Sequence, residues 1–122
     1  MEDFFYKKVI AYQKARTFVI AIYALVKKFP EYEKYALCDQ SRRAAISILS
    51  NIAEGLGRMA VKERIHFLEI AYSSLNEVTC QMDIAQALNY ITSEELDNIE
   101  SMSAELGKIL SGLRQSLINK IR

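Results

Sequence analysis

Apolar residues in this chain recur at steps of three, four and seven over stretches of twenty or more, the spacing that lines one face of an α-helix, and little interrupts them. One proline and four glycines punctuate 122 residues. So little turn material leaves room for a few long elements joined by short connections. With 51% hydrophobic and 25% charged residues, the chain is neither disordered nor collagen-like. Its length suits one domain, which on folding buries roughly two-thirds of the surface that the unfolded chain exposes.

Four helices are expected, at about residues 6–28, 37–56, 61–89 and 93–120. In the first, Phe5, Val9, Tyr12, Val19, Ile22 and Val26 keep the helical step, and Phe29-Pro30 ends it. Its second half, Phe18 to Val26, is apolar nearly all round. A bundle helix needs only one apolar stripe, so a second apolar face points to self-association. The second helix has no clear cap at its start and is expected to stop at Gly55 or Gly57. The third carries Phe67, Ala71, Leu75, Val78, Met82, Ala85 and Leu88 on one face and would be about 43 Å long at 1.5 Å per residue. Thr92-Ser93-Glu94-Glu95 announces the fourth as a capping box, with Ile91 and Leu96 as a hydrophobic staple. From there Leu96, Ile99, Met102, Leu106, Ile109, Leu113 and Leu117 hold the period, with acids early and Lys120 and Arg122 late, as the helix dipole favours. No strand pattern or repeat occurs. Short connections between long helices imply an all-α, antiparallel, up-down-up-down four-helix bundle.

The longest apolar run, Thr17 to Val26, is about half of what a membrane span requires, so no membrane insertion is expected. Cys38 and Cys80 stand far apart, and Glu2 and Asp3 replace the basic start of a secretory signal. Both features place the chain in a reducing cytoplasm. Net charge is only +1 but unevenly spread: Lys7, Lys8, Lys14, Arg16, Lys27 and Lys28 make the first helix basic.

Two polar rows invite a functional reading. Gln40, Arg43, Ser47, Asn51, Glu54 and Arg58 fall on one face of helix two, and His66, Ser73, Glu77 and Gln81 on one face of helix three. If the rows meet, Arg43, Asn51, Glu54 and Glu77 form a structural polar network; the alternatives are a solvated face and a ligand site. Glu63-Arg64-Ile65-His66 has the E-x-x-H spacing of di-metal bundles, but such a site needs the motif twice and the chain has one histidine. No metal or other cofactor is expected. Neither cysteine has a histidine nearby in sequence, and Cys80 reads as a buried, inert thiol. Gly55-Leu56-Gly57-Arg58 follows a helix and lacks a Gly-Lys-Ser/Thr ending, so it is no phosphate loop. Lys7, Lys14, Arg16, Arg42, Arg43 and Arg58 are the candidate nucleic-acid contacts, set against ordinary solvation, which a sequence pI near 7.7 favours.

Helix two also carries a recognisable text: Gln40-Ser41-Arg42-Arg43-Ala44-Ala45-Ile46-Ser47-Ile48, then Asn51-Ile52-Ala53-Glu54-Gly55, Gly57-Arg58, Glu63 and Phe67-Leu68-Glu69-Ile70-Ala71. With Phe29-Pro30, Glu33, Ser74-Leu75, Glu77 and Asn89-Tyr90-Ile91, the chain resembles the four-helix bundle proteins encoded by 23S rRNA intervening sequences over nearly its whole length. The resemblance implies a ring-like homopentamer without enzymatic activity. It also implies kinship with the accessory variability proteins of diversity-generating retroelements, which are thought to bind RNA or DNA and a protein partner, a reverse transcriptase, through basic surfaces. Ala36, Ala60 and Ser73 depart from residues common in the family: Gly, the Ser of a capping box with Glu63, and Gly. Arg42, Arg43, Asn51, Glu54 and Glu77 match its motif and are expected to hold helices and subunits together.

Overall fold

A computed structural model describes residues 9–121. Four helices account for most of them: α1 (Ile10–Val26), α2 (Leu37–Gly57), α3 (Val61–Ala87) and α4 (Ser93–Lys120), with a 3-10 turn at Glu31–Glu33 between the first two. Each helix packs on its two neighbours in the order α1, α2, α3, α4 and back to α1, so the bundle closes around one core. That core holds Ala15, Phe18 and Ile22 of α1, Ala45, Ile48 and Ile52 of α2, Leu75, Val78 and Met82 of α3, and Ile99, Leu106 and Leu110 of α4. Burying each of the larger side chains contributes roughly 1.5–3 kcal/mol, which is what the helical period of the sequence secures.

Cross-helix pairs run in opposite senses. Arg114 donates to Glu69 at 2.7 Å near one end of α3 and α4, while Thr79 and Ser103 share a hydrogen bond of 2.8 Å further along. On α1 and α4, Lys14 pairs with Glu105 at 2.8 Å and Lys28 with Glu95. These neighbours are therefore antiparallel.

The helix ends show where local chemistry departs from the expected boundaries. The first helix starts at Ile10 after an extended Val9, and the expected start at residue 6 lies outside the described residues. Gly55 and Gly57 do not close α2 with a left-handed residue, because no glycine has positive φ; Arg58 ends the helix in extended conformation. The left-handed residue is Asn89, at φ 64°. Its amide reaches the Gln86 carbonyl at 2.9 Å and that of Tyr90 reaches Ala85 at 2.8 Å, the pair of bonds that defines a Schellman ending. The third helix thus stops at Ala87, two residues before the expected 89. The capping box at Thr92 and Glu95 is present in both halves, with Ile91 and Leu96 buried beside it. Ala60, by contrast, opens α3 with no side-chain cap, consistent with its lack of a hydroxyl.

Candidate functional site

The polar rows of α2 and α3 meet through one contact. Ser47 Oγ and Ser74 Oγ share a hydrogen bond of 2.8 Å, and Asn51 Nδ2 donates to the Ser47 carbonyl at 2.8 Å and to its hydroxyl at 3.0 Å. Ser74, buried, makes this contact in place of the neighbouring Ser73, which is exposed. An offset of one residue rotates a side chain by about 100° on a helix, enough to exchange the inward position for the outward one.

Arg43, Glu54 and Glu77 do not join it. Arg43 is exposed and pairs with Asp39 one turn back at 3.1 Å. Glu54 pairs with Arg58 at 3.5 Å, and Glu77 accepts from Gln81 at 3.3 Å, each along its own helix. The four residues therefore form separate local contacts. The rows lie mostly toward solvent, where water already satisfies the charges and a buried Arg–carboxylate network has nothing to gain.

The basic candidates are dispersed. Lys7 lies outside the described residues. Lys14 is engaged by Glu105 across to α4, and Arg43 by Asp39. Arg58, besides its Glu54 pair, lies 4.9 Å from the Phe67 ring centroid. Arg16 and Arg42 have no carboxylate partner among the described residues. They flank the α1–α2 face, one turn from Ile20 and Ile46 respectively.

That face holds the feature the sequence foreshadowed in part. Ile20 is 54% exposed and Ile46 43% exposed, and together with Val19, Tyr23, Ala24 and Lys27 they line a mainly apolar open groove of about 510 Å³. Helix one does carry a second apolar surface, as its all-round hydrophobic stretch requires. The sequence signal for Ile46 is a large β-branched side chain one position off the buried stripe of Ala45, Ile48 and Ile52. A second trough runs along α3 and α4, where Asn76, Ser103, Ala104 and Gly107 line a cleft of about 350 Å³.

Potential metal ligands do not converge among the described residues. No set of three or more His, Cys, Asp or Glu side chains could hold a metal ion among the described residues. His66 is exposed and sits edge-on to Phe67 with ring centroids 5.6 Å apart. Cys80, expected to be buried, is exposed, and the buried thiol is that of Cys38. Burial pushes the Cys38 thiol up, against a smaller opposing pull from Arg42. The Tyr90 phenol is held well above its usual value, first by its hydrogen bond with Tyr32 and then by burial and by Glu33. Tyr90 meets Tyr32 hydroxyl to hydroxyl at 2.9 Å and donates to Glu33 at 2.8 Å, tying the α3–α4 connection to the 3-10 turn. Glu95 is held below the usual carboxylate range by Lys28, then by the Thr92 amide of the capping box. No helix of the described residues is long and apolar enough to cross a membrane.

Comparison with known proteins agrees with this architecture. The family model for 23S rRNA-intervening sequence proteins matches residues 7–112. Among solved structures, a protein of unknown function from the S23 ribosomal protein family of Bacteroides thetaiotaomicron VPI-5482 superposes with a TM-score of 0.79 at 26% identity, over 86% of this chain and 98% of that one. None of the curated proteins matches the chain.

Proposed function

The chain belongs to the 23S rRNA-intervening sequence protein family, and from that premise we propose that it acts as a non-enzymatic, self-assembling bundle in the cytoplasm. The observation that carries this reading is the exposed apolar groove between α1 and α2. Ile20 and Ile46 project from it, where a lone bundle would have polar side chains. The homopentamer implied by the family resemblance is the expected assembly. Free thiols at Cys38 and Cys80 suit a reducing compartment.

Light scattering coupled to size exclusion tests it. The wild-type chain is expected to run as an oligomer at micromolar concentration, and Ile20→Glu to run as a folded single chain. A wild-type protein with the mass of one chain sinks the reading.

A second reading, a nucleic-acid-binding accessory module acting with RNA, DNA or a reverse transcriptase, draws on Arg16 and Arg42. Both keep uncompensated charge on the α1–α2 face. Anisotropy titrations against a structured RNA and a DNA duplex distinguish it: this reading requires binding that weakens steeply between low and near-physiological salt and is lost in Arg16→Glu with Arg42→Glu.

A further inference from the structure

The α1–α2 groove and the α3–α4 trough lie on opposite sides of the bundle, because α1 contacts α2 and α4 but not α3. The two sides differ in charge. Around the groove stand Arg16, Lys27 and Arg42; α1 contains no acid, and Asp39 in the first turn of α2 is taken up by Arg43 at 3.1 Å.

On the opposite side the Thr79–Ser103 hydrogen bond of 2.8 Å fixes the register of α3 against α4. Asp83 lies one turn beyond Thr79 and Glu100 one turn before Ser103, so on antiparallel helices they come to the same level. Both are exposed, and neither has a cation partner among the described residues. The Lys14–Glu105 and Lys28–Glu95 pairs set the height of α4 against α1. Glu100 therefore lies within the stretch of α1 between Arg16 and Lys27. Lys108, which lines the trough, falls beyond the level of Lys14 and outside that stretch.

Two copies joined through their α1–α2 faces would set Arg16, Lys27 and Arg42 against a second set of cations, an arrangement that costs affinity. Placing the α1–α2 face of one copy on the α3–α4 face of the next, with the bundles parallel, sets those cations against carboxylates. Resting on the self-assembly reading above, we propose that copies of this chain join head to tail. Ile20 and Ile46 of one protomer pack on the α3–α4 face of the next, with Arg16 and Arg42 meeting Asp83 and Glu100 there. The short side chains Ser103, Ala104 and Gly107 keep the receiving surface low. A heterologous contact of this kind closes into a ring or runs on as a filament, and it uses both faces of every copy.

Sedimentation of four full-length proteins tests the pairing: wild type, R16E/R42E, D83K/E100K, and the combination of all four changes, each checked for helix content by circular dichroism. The expected result is an assembled wild type, single chains for each half variant, and recovery of the wild-type mass in the combination. Half variants that stay assembled, or a folded combination that stays at the mass of one chain, overturn the pairing while leaving self-assembly intact. A wild-type protein at the mass of one chain overturns the self-assembly reading itself. Should charge reversal at Arg42 disturb the fold near Cys38, R16E against D83K carries the same comparison at one contact.

Discussion

Gly55 and Phe67 bring α2 and α3 so close that a methyl group on the glycine would stand 2.9 Å from the Phe67 Cβ and 3.4 Å from the Arg64 carbonyl oxygen. The nearer atom is the root of a side chain, not its flexible end, so the helices themselves must move to admit it.

Gly55→Ala is accordingly expected to destabilise the bundle by about 1–2 kcal/mol, overpacking outweighing the gain in helix propensity. Gly112→Ala, also within a helix but with nothing near its added methyl, should stabilise by up to about 1 kcal/mol. Chemical denaturation of the two variants checks the contrast; equal shifts would remove the close approach as the explanation.

Asn89 holds the left-handed position at the end of α3 with φ 64°. Glycine takes that conformation without a Cβ penalty, so Asn89→Gly should raise stability by about 0.5–1 kcal/mol and Asn89→Val should lower it by about 1–2 kcal/mol. Thermal melts of both variants decide the matter.

Asn51 and Arg43 separate a contact that links helices from one that does not. Asn51→Ala removes the bonds that brace Ser47 against Ser74 and should cost about 1 kcal/mol. Arg43→Leu, losing only an exposed pair with Asp39, should change stability by less than about 0.5 kcal/mol. A larger loss for Arg43 in denaturant titrations would restore the case for a buried network.

The Lys28–Glu95 pair predicts a pH dependence with a definite sign. Glu95 loses its proton more readily in the folded chain than in the unfolded one. Its contribution is therefore full above the unfolded glutamate pKa of about 4.3 and drains away as pH falls through the lower folded value. Glu95→Gln and Lys28→Met should each flatten the acid limb of a stability-against-pH curve, leaving the neutral plateau of the Gln variant lower. An unchanged acid limb in both would rule the pair out as its source.

Much of the architecture was legible because it depends on period and composition. The stripes through Ile22, Ile48, Val78 and Leu106 are all buried, and Thr92 with Glu95 marked the α4 boundary through a contact three residues long. What failed to read were one-residue choices set by tertiary packing. Ser74 replaced Ser73 at the α2 contact, Leu110 entered the core while Leu113 stayed partly exposed, and Phe67 turned to cover Gly55 while Leu68 went inward. On a long helix several positions near the stripe edge satisfy the same spacing, and the tilt of the neighbouring helix chooses among them. The glycines marked the end of α2 at Gly57 but not its mechanism: Gly55 serves a close approach, and the left-handed conformation expected of them occurs at Asn89, at the end of α3. Of the candidate site, the all-round apolar character of α1 was visible. The charges were not, because whether Arg16 or Lys14 stands uncompensated depends on α4 residues some ninety positions away.

The unequal placement of the two thiols has a practical side. Cys38 lies in the core with its ionisation suppressed, whereas Cys80 is exposed in the last third of α3. An alkylating dye added to the native protein should therefore react at Cys80 and leave Cys38 untouched until the chain unfolds. The molecule thus carries a built-in labelling position on one helix and a chemical alarm for unfolding on another, both without a single substitution.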